Sequence, residues 1–183
     1  YMARNLEPVR GFHQFMRALP KILEVRPNAR ALIIGGNEAS YGKKSDIQGG
    51  YRAQMEQEVG KDLDWSRVHF LGRVPYADYR TIIQLSRCHI YLTEPFVLSW
   101  SLLEAMAYGK RCIISDGTGM SGVLNGMGLC FSNGSVHDLL EKISDCILNE
   151  GKMPSTAKQV AEESRKYDLG QMLRGYDDIY RTI

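Results

Sequence analysis

Four short apolar runs, each closed by glycine or a small polar residue, constrain this chain more than any other feature. Ala31 to Ile34 (ALII) runs into Gly35-Gly36 and Val68 to Leu71 (VHFL) into Gly72. His89 to Thr93 (HIYLT) runs into a loop, and the CIIS run from Cys112 into Asp116-Gly117. Strands that are apolar throughout, rather than at every second position, are buried on both faces and belong to parallel sheets. The intervening segments change period. Gly11 to Glu24 carries Phe12, Phe15, Met16, Leu19, Ile22 and Leu23 at helical spacing, with Pro20 as the expected kink. Helices are also predicted at Tyr51 to Lys61, Tyr76 to Ser86 and Ser99 to Tyr108. Tyr1 to Ala3 reads as the tail of a first strand and Leu129 to Phe131 as a short late one. Three helical segments follow, at Val136 to Leu148, Thr156 to Tyr167 and Leu169 to Arg181. This alternation predicts an α/β fold, a Rossmann-like doubly wound parallel sheet covered on both faces.

At 183 residues, 44% of them hydrophobic, the chain suffices for one domain spanning 1–183. A formal net charge of +2, with basic and acidic residues interleaved, leaves no electrostatic footprint for nucleic acid. The four cysteines, Cys88, Cys112, Cys130 and Cys146, never form a CxxC pair, so reduced thiols and a cytoplasmic location are expected. No apolar run is long enough for a transmembrane segment. Asp62-Leu63-Asp64 spells a metal-holding DxD string but falls at a helix end. His13, His69, His89 and His137 lack ligand spacing, so no metal or other cofactor is expected. The lack of GxGxxG after the first strand and of GxxxxGK[ST] anywhere argues against a dinucleotide oxidoreductase and a P-loop NTPase.

Two segments carry the chemistry. In ARNLEPVRGFHQFM, Arg4 and Arg10 are placed on the turn between the first strand and first helix, where free backbone N–H groups and guanidinium forks make a phosphate site. The same arginines also read as solvated residues pairing with Glu7. In Pro95 to Gly109 (PFVLSWSLLEAMAYG), a loop leaves the carboxyl end of a strand and enters an amphipathic helix whose first turn is expected to hold Glu104. Ser101-Leu-Leu-Glu104 also spells a capping box, with Ser99 as an alternative cap, and Trp100 reads as packing. The loop from Asn37 to Gly50, with Ser40-Tyr41-Gly42, Lys43 and Lys44, reads as mobile rather than as a cover for phosphate.

These segments resemble the retaining, nucleotide-sugar-dependent glycosyltransferases of family 4, which have the two-domain GT-B architecture. The resemblance runs from Tyr1 to about Phe131 and is strongest in RNLEPVRGFHQFMRALP and PFVLSWSLLEAMAYGK. It implies the carboxyl-terminal, donor-binding half of a GT-B fold, with an amino-terminal acceptor domain of the same chain as partner. It implies transfer of a hexose from a nucleoside diphosphate sugar, with the fragment inactive alone. Arg4 and the Arg10-Gly11 pair match the family's donor-phosphate turn. Glu104 matches the second glutamate of its Glu-x7-Glu motif, which holds the ribose. Backbone around Val97, Leu98 and Ser99 would face the phosphates and sugar, and Gly72-Arg73-Val74 the nucleobase. Arg10 and Glu104 are the residues implied in catalysis. The first motif glutamate is replaced by Phe96, with Glu94 displaced by two positions. Either Glu94 reaches the sugar or main-chain amides take over. The alternative is a non-catalytic nucleotide-sugar-binding or scaffold domain of this fold, with a sugar-nucleotide epimerase more distant. After Asp116 the family's proline and acidic turn is replaced by a glycine-rich stretch, and the exposed apolar residues of the last helices are expected to lack a partner here.

Overall fold

The computed structural model describes residues 1–41, 43–94, 99–117, 119–124, 126–132, 134–148, 157–168 and 170–171. Among them, six strands form two parallel three-stranded sheets. One contains β1 (Met2–Asn5), β2 (Ala31–Gly36) and β3 (Val68–Gly72); the other contains β4 (Cys88–Tyr91), β5 (Arg111–Ser115) and β6 (Leu129–Phe131). In each sheet the strands lie in chain order, and β1 meets β4 where the sheets adjoin. The spatial sequence is therefore 3-2-1-4-5-6, the doubly wound order, with its switch point between β1 and β4.

Burial on alternate sides explains why these strands are apolar at successive positions. Ile33, Ile90, Ile113 and Phe131 face one core, beneath α1 (Phe12–Val25) and α6 (Val136–Leu148). Their neighbours Ile34, Tyr91 and Ile114 face the other side, under α3 (Tyr76–Leu85) and α4 (Trp100–Ala107). The first core spans both sheets.

α1 continues through Pro20, and its carboxyl end is closed by Arg67, whose Nη1 donates to the carbonyls of Leu23, Arg26 and Pro27. α2 (Gly50–Val59) is shorter than its periodicity suggests and gives way to a 3-10 turn at Gly60–Asp62. The glycine-rich stretch after β5 carries a helix absent from the sequence expectations, α5 (Met120–Leu124), anchored by buried Val123 and Leu124. α7 (Ala157–Ser164) has a partner after all: it packs on α4 and buries Val160. The predicted helix from Leu169 to Arg181 lies almost entirely outside the described residues. Among the described residues no helix is long and apolar enough to cross a membrane.

A cavity of about 640 Å³ opens at the amino ends of β1, β2 and β4, lined by Tyr1, Leu32, Cys88 and His89. Open α/β sheets bind ligands at the opposite, carboxyl ends of their strands. The candidate site is at that other end.

Candidate functional site

After β1 the chain makes a single tight turn. Pro8, with fixed φ and no N–H to lose, starts a 3-10 turn through Arg10, and Gly11 closes it in the left-handed region at φ 66°. Two constraints fix glycine there. A side chain is strained at that φ, and a Cβ would lie 2.3 Å from the Cβ of Leu92. The turn is thus pressed against the end of β4. Glu94 N–H donates to the Val9 carbonyl at 3.0 Å, and the Thr93 N–H to Ser115 Oγ at 3.0 Å. Arg10 is 9% exposed; its Nη1 lies 3.4 Å from Thr93 Oγ1, and its guanidinium sits 5.3 Å from the centre of the Tyr41 ring. The arginine is therefore built into the junction of the first turn, the β4 end and the β2–α2 loop.

Arg4 is not on this turn. It lies within β1, one residue before its end, with its side chain exposed; β1 runs two residues further than predicted because Asn5 pairs with Gly36 of β2.

The β2–α2 loop, expected to be mobile, is held at its first half. Glu7 is 0% exposed, and its Oε2 accepts the N–H groups of Ser40 at 2.8 Å and Tyr41 at 3.2 Å. Asn5 Nδ2 donates to Ser40 Oγ at 2.5 Å. Asn5 Oδ1 accepts from Arg73 Nη2 at 3.2 Å, and Arg73 also pairs with Glu38. Polar composition reads as mobility only when its groups face water, and here they face one buried carboxylate and one buried amide.

The second half of the site is built on α3 and α4. Ser99 caps α4, its Oγ accepting from Leu102 N–H at 3.4 Å, while Ser101 is buried inside the helix. Glu104 therefore stands in the second turn, not the first, and forms no capping box with Ser101. Its Oε1 instead accepts the Tyr76 hydroxyl at 2.8 Å. That bond holds the Tyr76 phenol above its usual range. Tyr79, one turn along α3, lies near the same carboxylate with a buried hydroxyl that lacks a hydrogen bond of normal geometry. Burial first, and Glu104 second, raise its phenol. Trp100, read as packing, is 80% exposed at the start of α4, one turn before Glu104.

Val74 packs beside Ile34 and Tyr79, so the turn from Gly72 leads directly into Tyr76. Phe96, Val97 and Leu98 lie outside the described residues. Glu94, which follows buried Thr93, is exposed. The structure thus gathers the candidate residues into two groups, one around Arg10 and Gly11 at the switch point and one around Glu104.

Asp64 is used locally. Its carboxylate accepts from Ser66 and Arg67, bonds that lower its pKa, with Ser66 contributing most. The four cysteines are free thiols, and burial pushes Cys112 and Cys130 up from the usual thiol range.

A family model described as glycosyl transferases group 1 matches residues 1–167. The chain belongs to that family. It is 28% identical over 125 residues to the Campylobacter jejuni N,N'-diacetylbacillosaminyl-diphospho-undecaprenol alpha-1,3-N-acetylgalactosaminyltransferase, a match covering 66% of this chain and 32% of that protein. In structure it superposes on Anabaena HepE, crystallised with UDP, at a TM-score of 0.81 and 20% identity, over 100% of this chain and 48% of that one. The carboxyl-terminal domain of a Francisella tularensis glycosyl transferase group 1 family protein, LpcC, matches at a TM-score of 0.74 and 17% identity, over 92% of this chain and 85% of that one. The group 1 chain spans about a third of its curated relative (32%) and about half of HepE (48%). Its fold is that of one half of a GT-B glycosyltransferase.

Sequence reasoning missed Tyr76, Thr93 and the Glu7 clamp. Each depends on a partner distant in the chain, and none belongs to a local pattern. Gly11, expected in a phosphate motif, also meets a steric requirement that Leu92 sets.

Proposed function

We propose that this chain is the donor-binding, carboxyl-terminal half of a GT-B glycosyltransferase that transfers a hexose from a nucleoside diphosphate sugar with retention of configuration. The observation that carries this reading is the junction at the switch point, where the Val9 carbonyl meets Glu94 N–H and buried Arg10 meets Thr93. A guanidinium already desolvated there is suited to a diphosphate, since charge that develops on a departing phosphate needs a preorganised partner. Arg10 would neutralise the leaving group, with Arg4 as a second, solvated cation. Glu104, which serves no cap, would accept the ribose hydroxyls. Backbone around Val97, Leu98 and Ser99 would face the phosphates and sugar, and the turn carrying Val74 the base. No cofactor enters the scheme. The acceptor would be held by an amino-terminal domain of the same protein, in the cytoplasm.

Titration of the 183-residue chain with UDP, GDP and ADP tests the reading. One diphosphate should bind with a change in Trp fluorescence, from exposed Trp100, and the chain alone should transfer no sugar. Failure to bind all three, or transfer by the chain alone at enzymatic rates, would refute it. Phe96 in place of the first motif glutamate favours a second reading, a nucleotide-sugar-binding domain without catalysis. Sugar transfer by the complete protein decides between them.

A further inference from the structure

α3 and α4 are stitched side by side at a constant offset. Tyr76 donates to Glu104 Oε1 at 2.8 Å, and one turn further along both helices Arg80 Nε donates to the Tyr108 hydroxyl at 2.8 Å. The second bond joins two side chains that the proposed ligand does not use. The first ends on a carboxylate that also lies beside the buried Tyr79 hydroxyl, which forms no hydrogen bond of normal geometry. Tyr76 is 62% exposed and packs its ring against Tyr79, with centroids 5.9 Å apart. It follows directly on the turn from Gly72 to Pro75 proposed to meet the nucleobase.

An exposed hydrogen bond of this kind contributes little to stability, because water offers both groups the same partners. Its effect is on conformation. A glutamate side chain held by one oxygen has lost rotamer freedom before the ligand arrives, and such preorganisation appears as affinity. Resting on the reading of Glu104 as the ribose acid, we propose that Tyr76 is a positioning residue of the ribose site. Its hydroxyl holds Oε1 and so fixes the carboxylate that would accept a ribose hydroxyl, and it thereby sets the preference for ribonucleotides over 2′-deoxyribonucleotides. The bond to Glu104 holds the Tyr76 phenol above its usual range, which favours its role as the donor of this pair.

The test is calorimetric titration of the 183-residue chain, its Tyr76→Phe variant and its Glu104→Gln variant with UDP, GDP and ADP and their 2′-deoxy counterparts. Tyr76→Phe keeps the ring and removes only the donor. It should cut the preference for the ribose form by about threefold to tenfold, the worth of one hydrogen bond, with the deoxy form bound as before and the melting temperature unchanged. If Glu104→Gln abolishes the preference and Tyr76→Phe leaves it intact, Tyr76 merely stitches two helices and the proposal falls alone. Tighter ribonucleotide binding by Tyr76→Phe would also overturn it, by showing that the hydroxyl competes with the ligand. If Glu104→Gln leaves the preference intact, the ribose reading of Glu104 fails and takes the Tyr76 proposal with it. Absence of any binding to the unmodified chain rejects the proposed function as a whole.

Discussion

The turn around Arg10 and the helix pair around Glu104 are built in opposite ways. Arg10 is almost fully buried, beside a glycine whose added Cβ would strike Leu92, and between two loops. Glu104 is half-buried on the second turn of a helix capped elsewhere, and it accepts a hydrogen bond from an exposed tyrosine. At the first place, the proposed binding chemistry and folding share the same atoms. At the second they are separate. A substitution near Arg10 should therefore cost stability and affinity together, whereas one at Glu104 should cost affinity alone.

The largest effect is expected at Gly11. Gly11→Ala adds a Cβ at a positive φ and into Leu92, and should destabilise the fold by about 2 to 5 kcal/mol, seen as a lowered denaturation midpoint. A neutral result would show that the turn is not pressed against β4. Next comes Arg10→Ala, expected to weaken nucleoside diphosphate binding by about 1.5 to 3 kcal/mol while leaving nucleoside binding almost unchanged. It should also lose about 1 kcal/mol of stability with the Tyr41 contact. Equal losses for both ligands would break the phosphate assignment. On the α4 side the two roles come apart: Ser99→Ala should cost about 1 kcal/mol of stability as the cap is lost. Glu104→Gln should change stability by less than about 0.5 kcal/mol yet weaken nucleotide binding by about threefold to tenfold. Should Glu104→Gln lower the melting temperature as Ser99→Ala does, the contrast between the two regions disappears. The smallest effect belongs to Glu94→Gln. Its backbone is pinned to Val9, so sugar nucleotide and bare diphosphate should weaken by the same small factor. A selective tenfold loss for the sugar nucleotide, about 1.4 kcal/mol, would make Glu94 the displaced motif acid.

The same contrast governs what could be read from the sequence. The fold was legible because β2, β4 and β5 bury successive side chains on both faces: Ile33 and Ile34, or Ile113 and Ile114, announce a two-sided environment in any single window. Helix limits were legible where periodicity is strong, as at Val136 and Leu148. They failed where a tertiary partner decided, as in α5, fixed by burial of Val123 and Leu124. In the candidate site, Arg10 stood out as a charge before a glycine, but not the burial that Tyr41 and Thr93 give it. Ser101-Leu-Leu-Glu104 fits a local motif that the helix does not use, since Ser99 begins the cap two residues earlier. Trp100 was misjudged because side-chain size indicates burial only on average. Tyr76 and Glu104 lie on helices separated by β4, and no local pattern connects them.

Glu7 carries a consequence for engineering. Its carboxylate, wholly enclosed, orients two successive main-chain amides from a loop more than thirty residues away. The segment from Leu6 to Gly11 is therefore not a module that can be exchanged by itself between members of this family. A chimera that imports the segment while keeping a foreign β2–α2 loop would bury an acid with no donors. One that imports both together carries its own hydrogen-bond donors. The natural unit of transplantation is the pair of loops, joined by a side chain that need never touch a ligand.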